Sequence, residues 1–319
     1  MMVGGFVNSV FTRFCLVLLS ALTIGVSPAV AGDMVYIHSQ GETAQDHRQD
    51  FSWQVLRQAL ERTRASYGAF TIKTAPVALR QQRLLQALDQ GNREVNIALL
   101  PVMPDSARHG VFPVRIPVLG GLWSYRVLLV PADRQGRFDS IRTLEDLKQI
   151  AIGQAWYWAD TTILQDAGLQ VVKGDTYDGL FKMLAAGRFD AFNRSVVEVR
   201  GEYDALGDMA AKLAIERRLL LHYPMPEYFW FSDDPAGRRL AQRVETGLAS
   251  MVADHSLCRM VEERFGKALN SLSLDSRIVI EIANPLVGPE DHLDEPAYWC
   301  NPLPAGEPHA GLHQGSEKK

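Results

Sequence analysis

The stretch IGQAWYWADTTILQDAGLQVVKGDTYDGLFKMLAAGRFDAFNRSVVE, residues 152–198 of a chain of 319, decides the fold. Short apolar runs alternate in it with amphipathic segments, which predicts three strands separated by two helices. Asp160 is a residue type that caps the beginning of a helix, and Gly168 and Gly187 are typical of helix ends. The predicted strands are 151–154, 169–173 and 189–192.

A βαβαβ run of this kind favours a parallel sheet that binds ligands beyond the carboxyl ends of its strands. In this sequence that edge carries aromatic rings together with hydroxyl, amide and guanidinium groups, namely Trp156, Trp158, Asp160, Thr161, Asn193 and Arg194. The mixture is more typical of a solute pocket than of plain packing. Residues 34–100 repeat the strand and helix pattern, so the sequence predicts two α/β lobes.

Length and composition agree with two lobes of a globular protein. The chain is 47% hydrophobic and 22% charged, which is the ordinary balance of a folded soluble domain. Its formal net charge of −4 offers no electrostatic argument for binding nucleic acid.

The N-terminus has the layout of a secretory signal peptide. Arg13 precedes the apolar run 14–26, which is short for a membrane span, and Ala29 and Ala31 supply the small residues of a cleavage site. We therefore expect residues 1–31 to be removed and the protein to be periplasmic; an uncleaved N-terminal anchor is the alternative. The remaining cysteines, Cys258 and Cys300, either form a disulfide or stay separate thiols.

The chain is expected to cross from one lobe to the other twice. The sequence predicts lobe 1 from 32–131 together with 225–285, and lobe 2 from 132–224. The crossings are predicted at 131–137, which is polar and rich in turn-forming residues, and at 221–226. Residues 286–319 form a C-terminal extension that lacks periodicity and is expected to be disordered from about 301.

Three short motifs carry a resemblance to a known family. They are Asp105-Ser106-Ala107-Arg108, Ala159-Asp160-Thr161-Thr162 and Gly187-Arg188-Phe189-Asp190-Ala191. With the lobe pattern, they make residues 34–265 resemble the extracellular solute-binding proteins of family 3. The resemblance implies a type II periplasmic binding fold, in which each lobe is a mixed sheet flanked by helices. It also implies that Arg108 grips a ligand carboxylate.

The chain departs from this family where the family's amino-acid binders place an acidic residue for the ligand's ammonium group. Arg194 and Ser195 stand there instead. Asp105 also replaces the family's threonine, and the glycine before Asp160 is lost. Because a basic residue repels an ammonium group, we expect an anionic, carboxylate-bearing solute rather than an ordinary amino acid.

The ligand-binding candidates are Arg108, Arg126, Trp156, Thr161, Thr162, Arg194, Tyr36 and Ser39. Each has a structural alternative. Arg126 in an apolar strand needs a partner, which is either a ligand or an internal acid. The threonines either bind an anion at a helix N-terminus or are satisfied by capping through Asp160. Arg194 and Glu198 have the spacing of an ion pair within a helix.

The sequence carries no motif for catalysis. It lacks a Gly-x-Ser-x-Gly elbow, a phosphate loop and metal-ligand histidine spacing, so we expect no enzyme activity, no cofactor and no metal. The leading hypothesis is a monomeric periplasmic binder that closes on its solute and delivers it to an ABC-type importer in the inner membrane. The alternative is a module that senses a ligand and reports to a membrane sensor without transport.

Overall fold

The fold is described from a computed structural model that covers residues 1–2, 33–41, 46–91, 94–103 and 109–300. The predicted signal peptide, the loop that contains Arg108 and the tail from 301 lie outside these described residues. Within them, no helix is both long enough and apolar enough to cross a membrane.

The strands are β1 (Met34–His38), β2 (Phe70–Thr74), β3 (Ala98–Pro101), β4 (Val111–Val114), β5 (Tyr125–Pro131), β6 (Ala151–Ala155), β7 (Gln170–Gly174), β8 (Ala191–Ser195), β9 (Leu213–Ile215), β10 (Leu219–His222), β11 (Glu227–Ser232) and β12 (Ile278–Glu281). The helices are α1 (Asp50–Arg62), α2 (Arg64–Tyr67), α3 (Gln81–Asp89), α4 (Leu144–Leu147), α5 (Ala159–Asp166), α6 (Tyr177–Ala185), α7 (Val199–Asp204), α8 (Pro235–Ala253) and α9 (Ser256–Asn270).

Lobe 2 is built on one sheet with the order β12-β10-β5-β8-β6-β7, and β9 also pairs with β5. Strand β6 pairs in parallel with both β7 and β8, which confirms the parallel unit predicted from the opening stretch. Helix α5 ends before Gly168, whose φ of +77° is a backbone conformation that favours glycine. Because β5 and β8 are buried along their whole length, this sheet forms the centre of the lobe.

Lobe 1 has smaller sheets. Strands β1 and β2 pair in parallel, and β11 lies between β3 and β4 in antiparallel pairing. The backbone N–H of Asn96 donates to the carbonyl of Ile37 at 2.9 Å, which connects β1 to the segment before β3. Leu56 and Leu60 of α1 pack with Val244 and Leu248 of α8 in a fully buried core. This apolar layer supports the strands whose ends reach the site.

The first crossing between the lobes lies earlier than the sequence predicts. Strand β5 pairs with β8 and β10 in the sheet of lobe 2, so the chain crosses within 115–124 rather than at 131–137. The polar stretch Ala132–Phe138 is a 3₁₀ helix attached to lobe 2. Turn-rich composition therefore marked a surface bend beside the sheet, whereas the crossing itself is apolar and buried. The second crossing is the segment 223–226 between β10 and β11.

The C-terminal region also departs from the predicted boundaries. Strand β12 pairs in parallel with β10 and so belongs to lobe 2, although 225–285 was assigned to lobe 1. The chain then returns to lobe 1, where Cys258 and Cys300 form a disulfide. The N–H of Cys300 donates to the carbonyl of Gly120 at 2.8 Å. Strands β10 and β12 lie far apart in the sequence, so local periodicity could not reveal that they pair.

Candidate ligand-binding cleft

A cavity of about 270 Å³ lies between the two lobes and beside the chain crossings. Lobe 1 supplies the ends of β1 and β3 and the start of α1, and lobe 2 supplies the loop before α5 and the end of β8. Its lining includes His38, Ser39, Arg48, Trp53, Arg80, Trp123, Arg126, Tyr157, Trp158, Asp160, Arg194, Glu198 and Glu227. The cavity therefore combines aromatic rings with several ionisable groups.

The lobe 1 wall is aromatic and held rigidly. The ring of His38 stacks on that of Trp53 with 4.1 Å between ring centroids, and Trp53 in turn stacks on Phe229. Burial lowers the pKa of His38, which favours the neutral form of its imidazole. The hydroxyl of Ser39 donates to the carbonyl of Val77 at 3.0 Å, and it also accepts from the backbone N–H of Leu79. Ser39 therefore braces the β1 loop at the cavity edge.

In lobe 2, Arg126 is fully enclosed by a polar network. Its Nε donates to the carboxylate of Asp160 and to the hydroxyl of Tyr223, both at 3.0 Å. The Tyr223 hydroxyl donates to the same carboxylate, and an Nη of Arg126 donates to the carbonyl of Trp123. The charge of Arg126 is thus balanced inside the protein.

This network corrects the capping role predicted for Asp160. Helix α5 begins after Trp158, which provides no side-chain cap, and Asp160 lies within the first turn of the helix. A buried arginine nearby attracts the carboxylate more strongly than the free N–H groups of the helix do. From sequence, Asp160 and Arg126 are 34 positions apart, so no local pattern linked them.

Arg194 lies at the end of β8 between two carboxylates. Its Nε donates to Glu202 at 2.8 Å and an Nη donates to Glu198 at 2.9 Å. The guanidinium also lies 5.1 Å from the ring centroid of Trp158. Burial raises the pKa of Glu198, while the charge of Arg194 acts in the opposite direction. Arg194 therefore lines the cavity and also pairs with Glu198, but the pair joins a strand to the start of α7 and does not lie within one helix as the spacing predicted.

Sequence reasoning missed Glu227. This residue begins β11, is only 3% exposed and lines the cavity. Within the described residues its carboxyl group forms no hydrogen bond or ion pair. Burial raises its pKa to about 8, and the nearby charge of Glu198 adds to this effect. The signal was available, because Glu227 is an acid inside the apolar run 225–231, the same kind of signal that singled out Arg126.

The structure brings three predicted site residues to the cavity: Ser39, Arg126 and Arg194. Tyr36 is instead fully buried in the lobe 1 core, where its hydroxyl donates to the carbonyl of Leu240. Thr161 donates to the carbonyl of Ala155 at 2.7 Å and does not line the cavity.

Thr162 is exposed and does not line the cavity, and Arg108 lies outside the described residues. The two tryptophans of the aromatic loop have separate positions. Trp158 lines the cavity, whereas Trp156 is 49% exposed and lies outside the lining. The ligand-binding role of all these residues stays a prediction.

Among the described residues, no group of three or more His, Cys, Asp or Glu side chains is arranged to hold a metal ion. Three acids of the cavity, Asp46, Asp160 and Glu198, are paired with arginines instead. Asp46, for example, pairs with Arg48 at 2.8 Å. What the arrangement offers chemically is hydrogen bonding and charge for a bound solute.

Comparison with solved structures finds proteins of similar architecture. The ligand-binding core of GluR0 in complex with L-glutamate matches 74% of this chain and 100% of its own, at 13% identity and a TM-score of 0.53. The VFT2 domain of BvgS from Bordetella pertussis matches 72% and 93%, at 20% identity and a TM-score of 0.51. An ancestral arginine-binding protein bound to glutamine matches 73% and 98%, at 17% identity and a TM-score of 0.50. No family model and no curated protein matches the sequence.

These likenesses and the sheet topology agree with the expected fold class. The chain has the two-lobe, type II fold of periplasmic binding proteins, with mixed sheets flanked by helices. At identities of 20% or less, the comparison concerns architecture and not ligand.

Proposed function

We propose that this protein binds a small polar solute in the cleft between its lobes. The observation that carries the proposal is the cavity of about 270 Å³, whose walls come from both lobes and from the crossings between them. A solute of modest size is enclosed there by aromatic surface and by fixed polar groups. Among the described residues that line the cavity, no ionisable groups form the nucleophile and base pairing that catalysis requires, so binding without chemistry is the better account.

Closure of the lobes on the solute is the proposed mechanism. A ligand that touches Trp53 of lobe 1 and Trp158 of lobe 2 has more contacts when the lobes are close together, and it therefore shifts the population toward the closed form. The crossings 115–124 and 223–226 would absorb the motion.

The carboxylate predicted for the solute rests chiefly on Arg108. The argument from Arg194 is weaker than the sequence indicated, since Glu198 and Glu202 already balance its charge. We expect Arg108→Ala to weaken binding of a carboxylate-bearing solute by roughly 2–5 kcal/mol if the pair is desolvated. Unchanged affinity in calorimetry removes Arg108 from the site.

In the cell we propose a periplasmic location and delivery of the solute to an ABC-type importer. The alternative, reporting of the ligand to a membrane sensor, uses the same closure and differs only in the protein that recognises the closed form. Pull-down of a permease component rather than a sensor kinase, with the solute present, distinguishes the two roles.

The proposal is tested by a thermal-shift screen of protein refolded to strip any carried-over ligand. The panel contains amino acids, dicarboxylates, keto acids, amines, sugars and nucleosides. A ligand at 100 times its dissociation constant adds about 2.7 kcal/mol, which raises the melting temperature by roughly 5–10 °C. A panel with no stabilising compound counts against solute binding and favours an interaction module.

A further inference from the structure

The carboxyl group of Glu227 differs from every other acid of the cavity wall. Glu227 lies on β11, the strand that enters lobe 1 from the second crossing. The residue is only 3% exposed to solvent. Its neighbour Tyr228 points to the other side of the strand, where its hydroxyl donates to the carbonyl of Asp291. Glu227 therefore shares the strand face of Phe229, which contacts the cavity residue Trp53.

The cations near Glu227 are already engaged with other acids. Three charged side chains act on it: Glu198 at the start of α7, Arg126 of β5, and Arg48 from the loop before α1. Arg126 is paired with Asp160, and Arg48 with Asp46.

Glu198 shares Arg194 with Glu202, so two carboxylates face one guanidinium. The remaining arginine of the lining, Arg80, is exposed and lies over the ring of Tyr157. Among the described lining residues, negative charge near Glu227 thus exceeds the positive charge available to balance it.

We propose that the bound solute carries a positively charged nitrogen, an ammonium or guanidinium group, that binds against the carboxylate of Glu227 on the side of Glu198. Ionising a buried acid that has no partner is costly, and a cation bound beside it supplies the counter-charge that the ionised form needs. The rings of Trp53, Trp123 and Trp158 in the same cavity add attraction for a cation.

This inference rests on the proposed function, because it names the chemistry of the same solute. If Arg108 binds a carboxylate as well, the solute is a zwitterion. The inference reverses the expectation from Arg194 that a positive group is repelled from the cleft, since that guanidinium is neutralised by its own neighbours.

Proton exchange provides a distinctive signature. In the empty cavity Glu227 keeps its proton until the pH reaches about 8, and a bound cation requires the ionised form. Binding of a cation must therefore release a proton below that pH, and its affinity must rise with pH. Between pH 6 and pH 9 the expected gain is about 100-fold, most of it below pH 8.

The test uses three five-carbon compounds that differ only in their end groups: 1,5-diaminopentane, 5-aminopentanoate and glutarate. Calorimetry at pH 6 and pH 9 compares the wild-type protein with Glu227→Gln and with Glu245→Gln, an exposed acid on α8 away from the cavity. Titration in two buffers of different ionisation enthalpy measures the released protons on the wild-type protein alone, so the result does not depend on how a variant folds.

We expect one or both amine compounds to bind more tightly than glutarate, with the pH dependence and proton release described above. Glu227→Gln should weaken amine binding at pH 9 at least tenfold and abolish the pH dependence, whereas Glu245→Gln should match the wild type. Tighter binding of glutarate, or amine binding that is unchanged in Glu227→Gln, overturns the cation subsite and leaves the proposed function standing. If all three compounds fail to bind, the cation subsite is overturned. If the thermal-shift panel is silent too, the proposed function is overturned with it.

Discussion

Buried ionisable groups are paired in the lobe 2 wall of the cleft, whereas β11, the strand that enters lobe 1, carries a buried acid that is unpaired among the described residues. In lobe 2, Arg126 and Arg194 are each held by acids at 2.8–3.0 Å. On β11, Glu227 is equally buried and forms no hydrogen bond or ion pair within the described chain. The paired charges shape a rigid wall, and the unpaired acid is the one left for a solute. A basic or acidic residue in a cleft therefore indicates ligand chemistry only after its internal partners are known.

The largest loss of stability is expected from removing an arginine of the paired lobe 2 wall. Arg194→Met removes the guanidinium, keeps much of its volume and leaves Glu198 and Glu202 buried next to each other. We expect the free energy of unfolding to fall by about 3–5 kcal/mol, as measured by urea denaturation. Arg200→Met is the matched control, because its pair with Asp204 is exposed and should contribute no more than about 1 kcal/mol. Equal losses in the two variants would contradict the contrast between buried and surface pairs.

The second prediction tests the unpaired side through pH. The folded-state pKa of Glu227, about 8, lies above its unfolded value, so its stabilising contribution is complete at low pH and is lost as the pH rises through 8. Relative to Glu227→Gln, which does not titrate, the wild type should lose up to about 4 kcal/mol of unfolding free energy between pH 5 and pH 8.5. Parallel pH profiles for the two proteins would show that Glu227 titrates normally.

A smaller loss of stability is expected when one hydroxyl is removed from the hydrogen-bond network around Arg126. Tyr223→Phe removes the hydroxyl that accepts from Arg126 and Asn193 and donates to Asp160. The loss should be about 1–2 kcal/mol in urea unfolding, since buried polar groups lose a shared partner. Tyr67→Phe is the control, because its hydroxyl contacts Thr246 at the surface. A loss in Tyr223→Phe no larger than in this control would mean that the network adds little.

The smallest effect is expected at the rim. Trp156 is about half exposed and lies outside the cavity lining, so Trp156→Ala should change the unfolding free energy by less than about 0.5 kcal/mol. Trp158→Ala, which alters the cavity wall itself, should weaken binding of any compound found in the thermal-shift screen. If Trp156→Ala weakens binding as much as Trp158→Ala does, Trp156 takes part in binding and the site extends beyond the cavity lining.

Local sequence patterns were sufficient for the elements but not for their partners. Periodicity and helix-ending glycines located β6, β7 and β8 and their helices to within a few residues, because each signal lies inside the element concerned. The partner of Arg126 could not be predicted, since Asp160 and Tyr223 reach it only through the fold. Strand β12 was missed for the same reason, because its partner β10 lies far away along the chain.

Glu227 is a different case, because the sequence did contain its signal. It lies one position beyond the predicted crossing 221–226, inside an apolar strand, which is the same feature that made Arg126 a candidate. A consistent rule, that every charge in a buried strand requires a partner, would have selected both.

The pairing of β12 with β10 has a consequence for synthesis. The sheet of lobe 2 gains its last strand from residues that follow α9, and lobe 1 gains the disulfide from Cys300. Neither lobe is complete until residues 278–300 have been made. A chain that ends before Ile278 leaves the edge of β10 uncovered and Cys258 without a partner, which exposes it to aggregation and degradation. Residues 278–300 thus distinguish an intact molecule from a truncated one, because only a chain that contains them has a covered β10 edge and a paired Cys258.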